Sequence, residues 1–296
     1  MRRTFATALI VAFSLASRTT AGLVDNFNRA DSDTVGTTSE NPPNLVWDER
    51  TNTGAAETGS VVRIQNDQLY IGSSHLTPGG SGVGGVGYGE LGPFSNDLVL
   101  QFDMAFSAIT SSDAPGTFER WGIETQIQVR HPDNAAMAGS TLPSGAVAVS
   151  FYPNGNIHVR SADGSGLLDD RFYNSSGTLQ TGNASHDTDP DTTFTMTGTH
   201  AIKLSLVGTA LQVFVDDLVT PKVSTTISAS VPALTTNYIA LGKFLRTTTG
   251  VEARYDVAFD NLAVSVPIPE VSSFLLVGLS AFVVLGCVSV RRKLKS

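Results

Sequence analysis

The chain has 296 residues, 41% hydrophobic and 16% charged, with a formal net charge of −8 at pH 7. That charge is unevenly spread: Gly22 to Glu270 holds 27 acidic residues against 12 basic ones, a formal −15, and the other seven basic residues lie at the two ends. An acidic body of this kind argues against nucleic acid and anionic lipid as its partners, and a single cysteine, Cys287, leaves no disulfide framework.

The first 21 residues read as an export leader. Arg2 and Arg3 form a basic start, Phe5 to Ala16 an apolar run, and Thr19-Thr20-Ala21 places small residues before a cut at Gly22. Twelve apolar-dominated residues are too few to span a bilayer. The pair of arginines distantly resembles a twin-arginine signal, but an ordinary secretory leader needs the same charges and is the preferred reading.

From residue 22 to 266 the dominant hydrophobic period is two. Val61 to Ile71 reads as a hairpin turning at Asn66-Asp67. Leu98, Leu100, Phe102, Met104 and Phe106 alternate with more polar neighbours, as do Ile123, Ile127 and Val129 with Glu124, Gln126, Gln128 and Arg130. Ala146 to Phe151 leads through Asn154-Gly155 into Ile157 to Arg160, a second hairpin, and Ile202 to Val215 turns at Gly208-Thr209 for a third. Tyr238 to Leu241 gives a further strand. Tyr255, Val257 and Phe259 are out of phase with Leu262, Val264 and Val266, so a bulge or turn at Asp260-Asn261 is expected. No soluble segment keeps a helical period, and at least nine short strands predict an antiparallel β-sandwich in one domain. Two stretches break the rhythm: glycine-rich 79 to 92 and polar 161 to 192.

The chain ends in a stem, a span and a basic tail. Residues 267–273 contain Pro267, Pro269 and Glu270; no charge occurs from Val271 to Val290; Arg291, Arg292, Lys293 and Lys295 follow. At about 1.5 Å per residue the uncharged run reaches roughly 30 Å, one bilayer core. Residues 274–290 are therefore expected to form a transmembrane helix, and 291–296 a cytoplasmic tail by the positive-inside bias. The three-part ending resembles the PEP-CTERM sorting signal of Gram-negative bacteria, with Val271 standing where a second proline is usual. The resemblance implies membrane-tethered display outside the cytoplasm, then processing near Pro269-Glu270 by an exosortase-type protease. A plain membrane anchor is the simpler alternative.

A second resemblance covers nearly all of residues 22 to 266. Asp25-Asn26-Phe27-Asn28-Arg29-Ala30-Asp31, Trp47, Ile64 to Leu69, Leu211 to Asp217 and Tyr255 to Val264 resemble the framework of concanavalin A-like or laminin-G-like modules. This implies a jelly roll of two packed sheets, and a role in binding carbohydrate or protein, or in cutting polysaccharide. The Glu-x-Asp-x-x-Glu motif of the laminarinase-like members is absent.

Candidate site residues follow from strand spacing. Glu124, Gln126, Gln128 and Arg130 fall on one strand face with Trp121 at its edge, which suits a sugar-binding face or, more plainly, a solvated one. Asp187, Asp189 and Asp191 place three carboxylates at every second residue, hard-oxygen ligands suited to Ca²⁺, or simply an acidic loop. Gly82 to Gly87 matches a dinucleotide fingerprint but lacks its strand–helix setting. His75, His131, His158, His186 and His200 show no metal spacing, and His158 reads as a structural or surface residue. The sequence thus suggests an exported, surface-sorted polysaccharide-binding module without a certain cofactor. The alternatives are a glycan hydrolase or lyase using Glu119 or Glu124, and a structural matrix protein.

Overall fold

The computed structural model describes residues 22–32, 35–36, 45–52, 57–58, 62–72, 75–76, 86–111, 123–132, 135, 142–180, 196, 198–245 and 253–265. Seventeen strands occupy them. In chain order these are β1 (Gly22–Asp25), β2 (Asp48–Asn52), β3 (Glu57–Thr58), β4 (Val62–Gln65), β5 (Gln68–Ile71), β6 (His75–Leu76), β7 (Val86–Phe94), β8 (Leu98–Ser111) and β9 (Ile123–Pro132). They continue with β10 (Val147–Phe151), β11 (Ile157–Ala162), β12 (Leu167–Tyr173), β13 (Gly198–Val207), β14 (Ala210–Val215), β15 (Val223–Thr226), β16 (Asn237–Leu245) and β17 (Ala253–Ser265).

Alternating apolar residues on two sets of strands can leave water only by facing one another, and two large sheets result. One runs β15-β14-β13-β8-β17-β5-β4, with β1 also on β17; the other runs β12-β11-β10-β9-β16-β7-β2, and β3 pairs with β6 apart from both. Every pairing is antiparallel. Phe102, Leu204, Val213 and Phe259 from the first sheet meet Ile127, Val149, Val159 and Leu241 from the second in one buried cluster. The expected all-β antiparallel sandwich is present.

Local turn chemistry explains the connections. Asn66 and Asp67 both have positive φ, 52° and 58°, which gives the β4–β5 turn the twist its strands need. Gly155 and Gly208 supply the left-handed position in the next two predicted hairpins. On β17, Asp260 faces Asp103 but Ala263 faces Gln101, so a bulge holding Asn261 (φ 51°) restores the inward phase for Leu262 and Val264. The polar stretch from 161 is not wholly a loop: Leu168, Phe172 and Tyr173 carry β12 onto β11 before it ends. Likewise β7 occupies the second half of the glycine-rich stretch, because Gly89 lets Trp47 lie against the strand; a Cβ there would come within 2.9 Å of the indole.

The opening motif is a clamp. The carboxylate of Asp25, fully buried, accepts from the Phe27 amide (2.9 Å), from both Arg29 terminal nitrogens (2.7 and 3.0 Å) and from the Trp47 indole N–H (2.9 Å). It ties β1 into the core beside β17, where Gly22 faces Val264. The opposite margin is closed by Arg171 on β12, which donates to Thr225 Oγ1 and the Thr226 carbonyl near β15.

The leader, the stem, the expected helix 274–290 and the tail lie outside the described residues. Among the described residues no helix is long and apolar enough to cross a membrane.

Candidate functional site: a buried polar row on the seven-stranded sheet

The inner face of the seven-stranded sheet is mainly apolar, so its outer face is where chemistry is available. Strand pairing places Glu124, Gln126 and Gln128 of β9 on that outer face. Ser150 stands opposite both Gln126 and His158, and Ala148 opposite both Gln128 and Arg160. On the other side Ala240 and Gly242 of β16 flank Gln128 and Gln126, and carry the face on to Glu90 and Tyr88 of β7.

None of this row meets water freely. Glu124 is 7% exposed, Gln126 and Gln128 fully buried, His158 and Arg160 each 3%. The described residues of the β9–β10 connection lie over it: Tyr88 O–H donates to the Ala135 carbonyl (3.0 Å), and Leu142 packs with Ala146, Ala148 and Ala162. The solvated face considered from the sequence is therefore a closed one.

Burial forces the polar groups to satisfy one another. Glu124 Oε1 accepts from Arg160 Nη2, from Ser150 Oγ and from Gln126 Nε2 (3.2 Å), while Arg160 Nη2 also donates to Ser150 Oγ (2.9 Å). Since the carboxylate can only accept here, the Gln126 amide nitrogen must face it. Its oxygen then accepts from Gln128 Nε2 (2.8 Å), and the Gln128 oxygen accepts from His131 Nδ1 (2.7 Å). The imidazole is thereby fixed with its proton on Nδ1, and Nε2 lies 3.4 Å from Glu90 Oε2. A single direction of hydrogen bonding runs along β9 from His131 to Glu124, which Arg160 of β11 meets from the other side.

At the other end Tyr152 joins the row. His158 Nε2 donates to Asp170 Oδ1 (2.5 Å), which leaves Nδ1 to accept a long hydrogen bond from the Tyr152 hydroxyl (3.5 Å). Phe172 packs edge-on against both rings at 5.7 and 5.8 Å. Burial, reinforced by Glu124, pushes the Tyr152 phenol well above its ordinary range. Burial also lowers the His158 imidazole, outweighing its hydrogen bond to Asp170, which raises it. The pair stays uncharged near neutral pH.

Strand spacing had put Arg130 in the row. A bulge in β9 removes it: Arg130 faces Val147 whereas Gln128 faces Ala148, so one extra residue intervenes and parity reverses. His131 takes the place beside Gln128. Arg130 reaches the Asn96 carbonyl (3.1 Å), the Gly208 carbonyl (3.2 Å) and Asp97 (3.6 Å), and pins loops at one end of the sandwich together. Asn96 and Asn237 fasten the same end through Leu234, Ser95 and Val129.

Trp121, Glu119, the three aspartates 187, 189 and 191, and the sorting residues Pro267, Pro269, Glu270, Arg291, Arg292 and Lys293 lie outside the described residues. Among the described residues no group of three or more His, Cys, Asp or Glu is placed to hold a metal ion. Sequence reasoning missed Ser150 and Arg160 as partners of Glu124, and Tyr88, Glu90, His131, Tyr152 and Asp170 as its neighbours on this face. The alternation of β10 and β11 carried a signal for Ser150 and Arg160, but only strand order brings them to β9.

No family model matches the chain, and no curated protein matches it. Solved structures do. A Bacillus licheniformis β-glucanase is 9% identical and covers 85% of this chain and 100% of its own, with a TM-score of 0.48. A glycosyl hydrolase family 16 protein from Mycobacterium smegmatis is 10% identical, covering 83% and 100%, at 0.45. A carbohydrate-binding module, CBM66 from Bacillus subtilis, is 11% identical, covering 73% and 94%, at 0.35. At these identities and scores the likeness assigns no activity. The class rests on the strand pairing: an antiparallel two-sheet β-sandwich with a buried polar row.

His158 yields a prediction with a definite sign. Its folded pKa lies below the ordinary 6.5, so the unfolded chain binds more protons as pH falls. The contribution is whole above about pH 6.5 and is lost as pH drops through the lowered folded value. Thermal melts of the wild type should lose stability over that interval, and His158→Gln should flatten the slope. An unchanged slope in His158→Gln would contradict the assignment.

Proposed function

We propose that this chain is an exported, surface-sorted, membrane-tethered β-sandwich whose seven-stranded sheet binds extracellular polysaccharide. The observation that carries the binding reading is the polar row itself. The outer face of this sheet adds nothing to the core between the sheets, yet it buries Glu124, Arg160, two glutamines and two histidines side by side. Enclosing charge is costly even when paired, and a face that merely meets water needs no such array. Amides, hydroxyls and imidazoles beside Tyr88 and Tyr152 are groups of the kind that pair with sugar hydroxyls, and binding requires the closed row to open to the ligand. Tethering and exosortase-type processing rest on residues 267 to 296 alone.

The binding test uses the full-length protein in detergent on a polysaccharide panel, scoring both retention and release of reducing ends, with and without a calcium chelator. Retention without release is expected, and Tyr152→Phe should weaken it about three- to tenfold, as the loss of one hydrogen bond does. Loss on chelation would assign calcium to Asp187, Asp189 and Asp191. Release of ends would replace the binding reading with a glycan-active enzyme; neither signal would leave a matrix component.

Sorting has its own test. Replacing Pro269 and Glu270 with alanine should abolish C-terminal processing and surface delivery, read by fractionation and by the mass of the mature chain. Unchanged processing and delivery would contradict it.

A further inference from the structure

The eight-stranded sheet carries a polar feature of its own, apart from the polysaccharide reading. At its β4 edge lies a groove of about 240 Å³ lined by Asp31, Ser32, Arg63, Ile64 and Gln65. We infer that this groove binds a small zwitterion, a molecule that offers a carboxylate to Arg63 and a protonated amine to Asp31.

Backbone pairing shapes the groove. Ser32 and Ile64 exchange both of their amide hydrogen bonds (3.0 and 2.9 Å), which closes the edge of β4 to a further strand at that point. Val62 and Ile64 are in the core, so by alternation Arg63 and Gln65 project from the outer face, opposite Tyr70 and Gln68 of β5. With Ser32 opposite Ile64, Asp31 stands across from Gln65 and diagonal to Arg63, roughly 7 to 8 Å away between backbone positions. Its carboxylate is drawn toward Asn66, whose amide donates to Oδ1 (2.9 Å). Asp31 is exposed and Arg63 half-buried, so the groove is open to solvent.

The two charges in the groove have no charged partner among the described residues. Arg29, Arg130, Arg160 and Arg171 each meet a carboxylate. Arg63 is the one arginine with a described side chain that does not, although the stretch from Gly22 to Glu270 is formally −15. Its guanidinium stacks over Tyr70, 5.0 Å from the ring centre, and its Nε is enclosed without an acceptor. Tyr70 is held in turn by the hydrogen bond it donates to Asp256 (2.5 Å). Stacking fixes the plane of a guanidinium and leaves its fork of donors matched to a carboxylate. A plain anion there would face Asp31, and a plain cation would face Arg63. A ligand carrying both charges answers both, with the Gln65 amide beside them to donate or accept.

The experiment titrates the ¹⁵N-labelled full-length protein in detergent with glycine, acetate and methylammonium. It follows the Arg63 Nε–H, which enclosure keeps slow to exchange, and the Gln65 side-chain amide. Glycine should bind about two- to fivefold more tightly than either half-ligand, the worth of a second exposed ion pair. Asp31→Asn, whose amide oxygen can still serve Asn66, should weaken glycine and strengthen acetate, a crossing that loss of folding cannot mimic. Arg63→Gln should abolish the response of Gln65 to both. Acetate bound as tightly as glycine, or no saturable shift with any of the three, would overturn the inference. Glycine binding that Arg63→Gln leaves unchanged would place the ligand elsewhere and overturn it as well. Each of these failures leaves the polysaccharide reading standing, since that rests on the other sheet.

Discussion

The carboxylate of Glu124 sets the chemistry of the seven-stranded sheet. At 7% exposure it must be answered from within the protein, and Arg160, Ser150 and Gln126 converge on one of its oxygens. Because that oxygen only accepts, each amide beyond it is oriented in turn, as far as His131 on the same strand. Removing one member of such a pair is far costlier than never having built it. The row therefore fixes how β7, β9, β10 and β11 present their outward side chains, while the apolar core fixes how the sheets face each other.

The same economy of pairing closes the margins of the sandwich. Asp25 gathers Arg29, Trp47 and the Phe27 amide, so that the first strand, opposite the last part of β17, is held by side chains as well as by its own short ladder. Arg171 joins the edge strands of the two sheets, and Arg130 with Asn96 and Asn237 joins loops at one end. Edges that carry unpaired backbone groups invite association with other chains; here side chains from one sheet occupy part of the edge of the other.

Much of this was legible in the sequence. Period-two alternation located β8, β9, β13, β14 and β17. Asn-Asp, Asn-Gly and Gly-Thr marked three hairpins, and a phase slip foretold the bulge at Asp260-Asn261. The corresponding slip in β9 left no trace, since Val129-Arg130-His131 keeps an apolar residue followed by two polar ones whichever way the strand is read. Arg130 was assigned to the row and His131 was not. Alternation also cannot say whether a polar face meets water or is covered, because burial of Gln126 and Gln128 depends on where the β9–β10 connection travels. Nor does it give strand order, which alone carries Glu90, Arg160 and Asp170 toward Glu124. The opening motif was recognised as framework, but its content, a buried carboxylate with four donors, emerged only with geometry.

The directional row is the central claim, and His131 is where it can be read without ambiguity. A long-range proton–nitrogen correlation spectrum of the ¹⁵N-labelled protein reports which imidazole nitrogen carries hydrogen. The account predicts a protonated Nδ1, held in the hydrogen bond to Gln128. An imidazole whose Nδ1 is bare and whose only proton is on Nε2 would contradict the orientation of both glutamines, and with it the chain of acceptors that begins at Glu124.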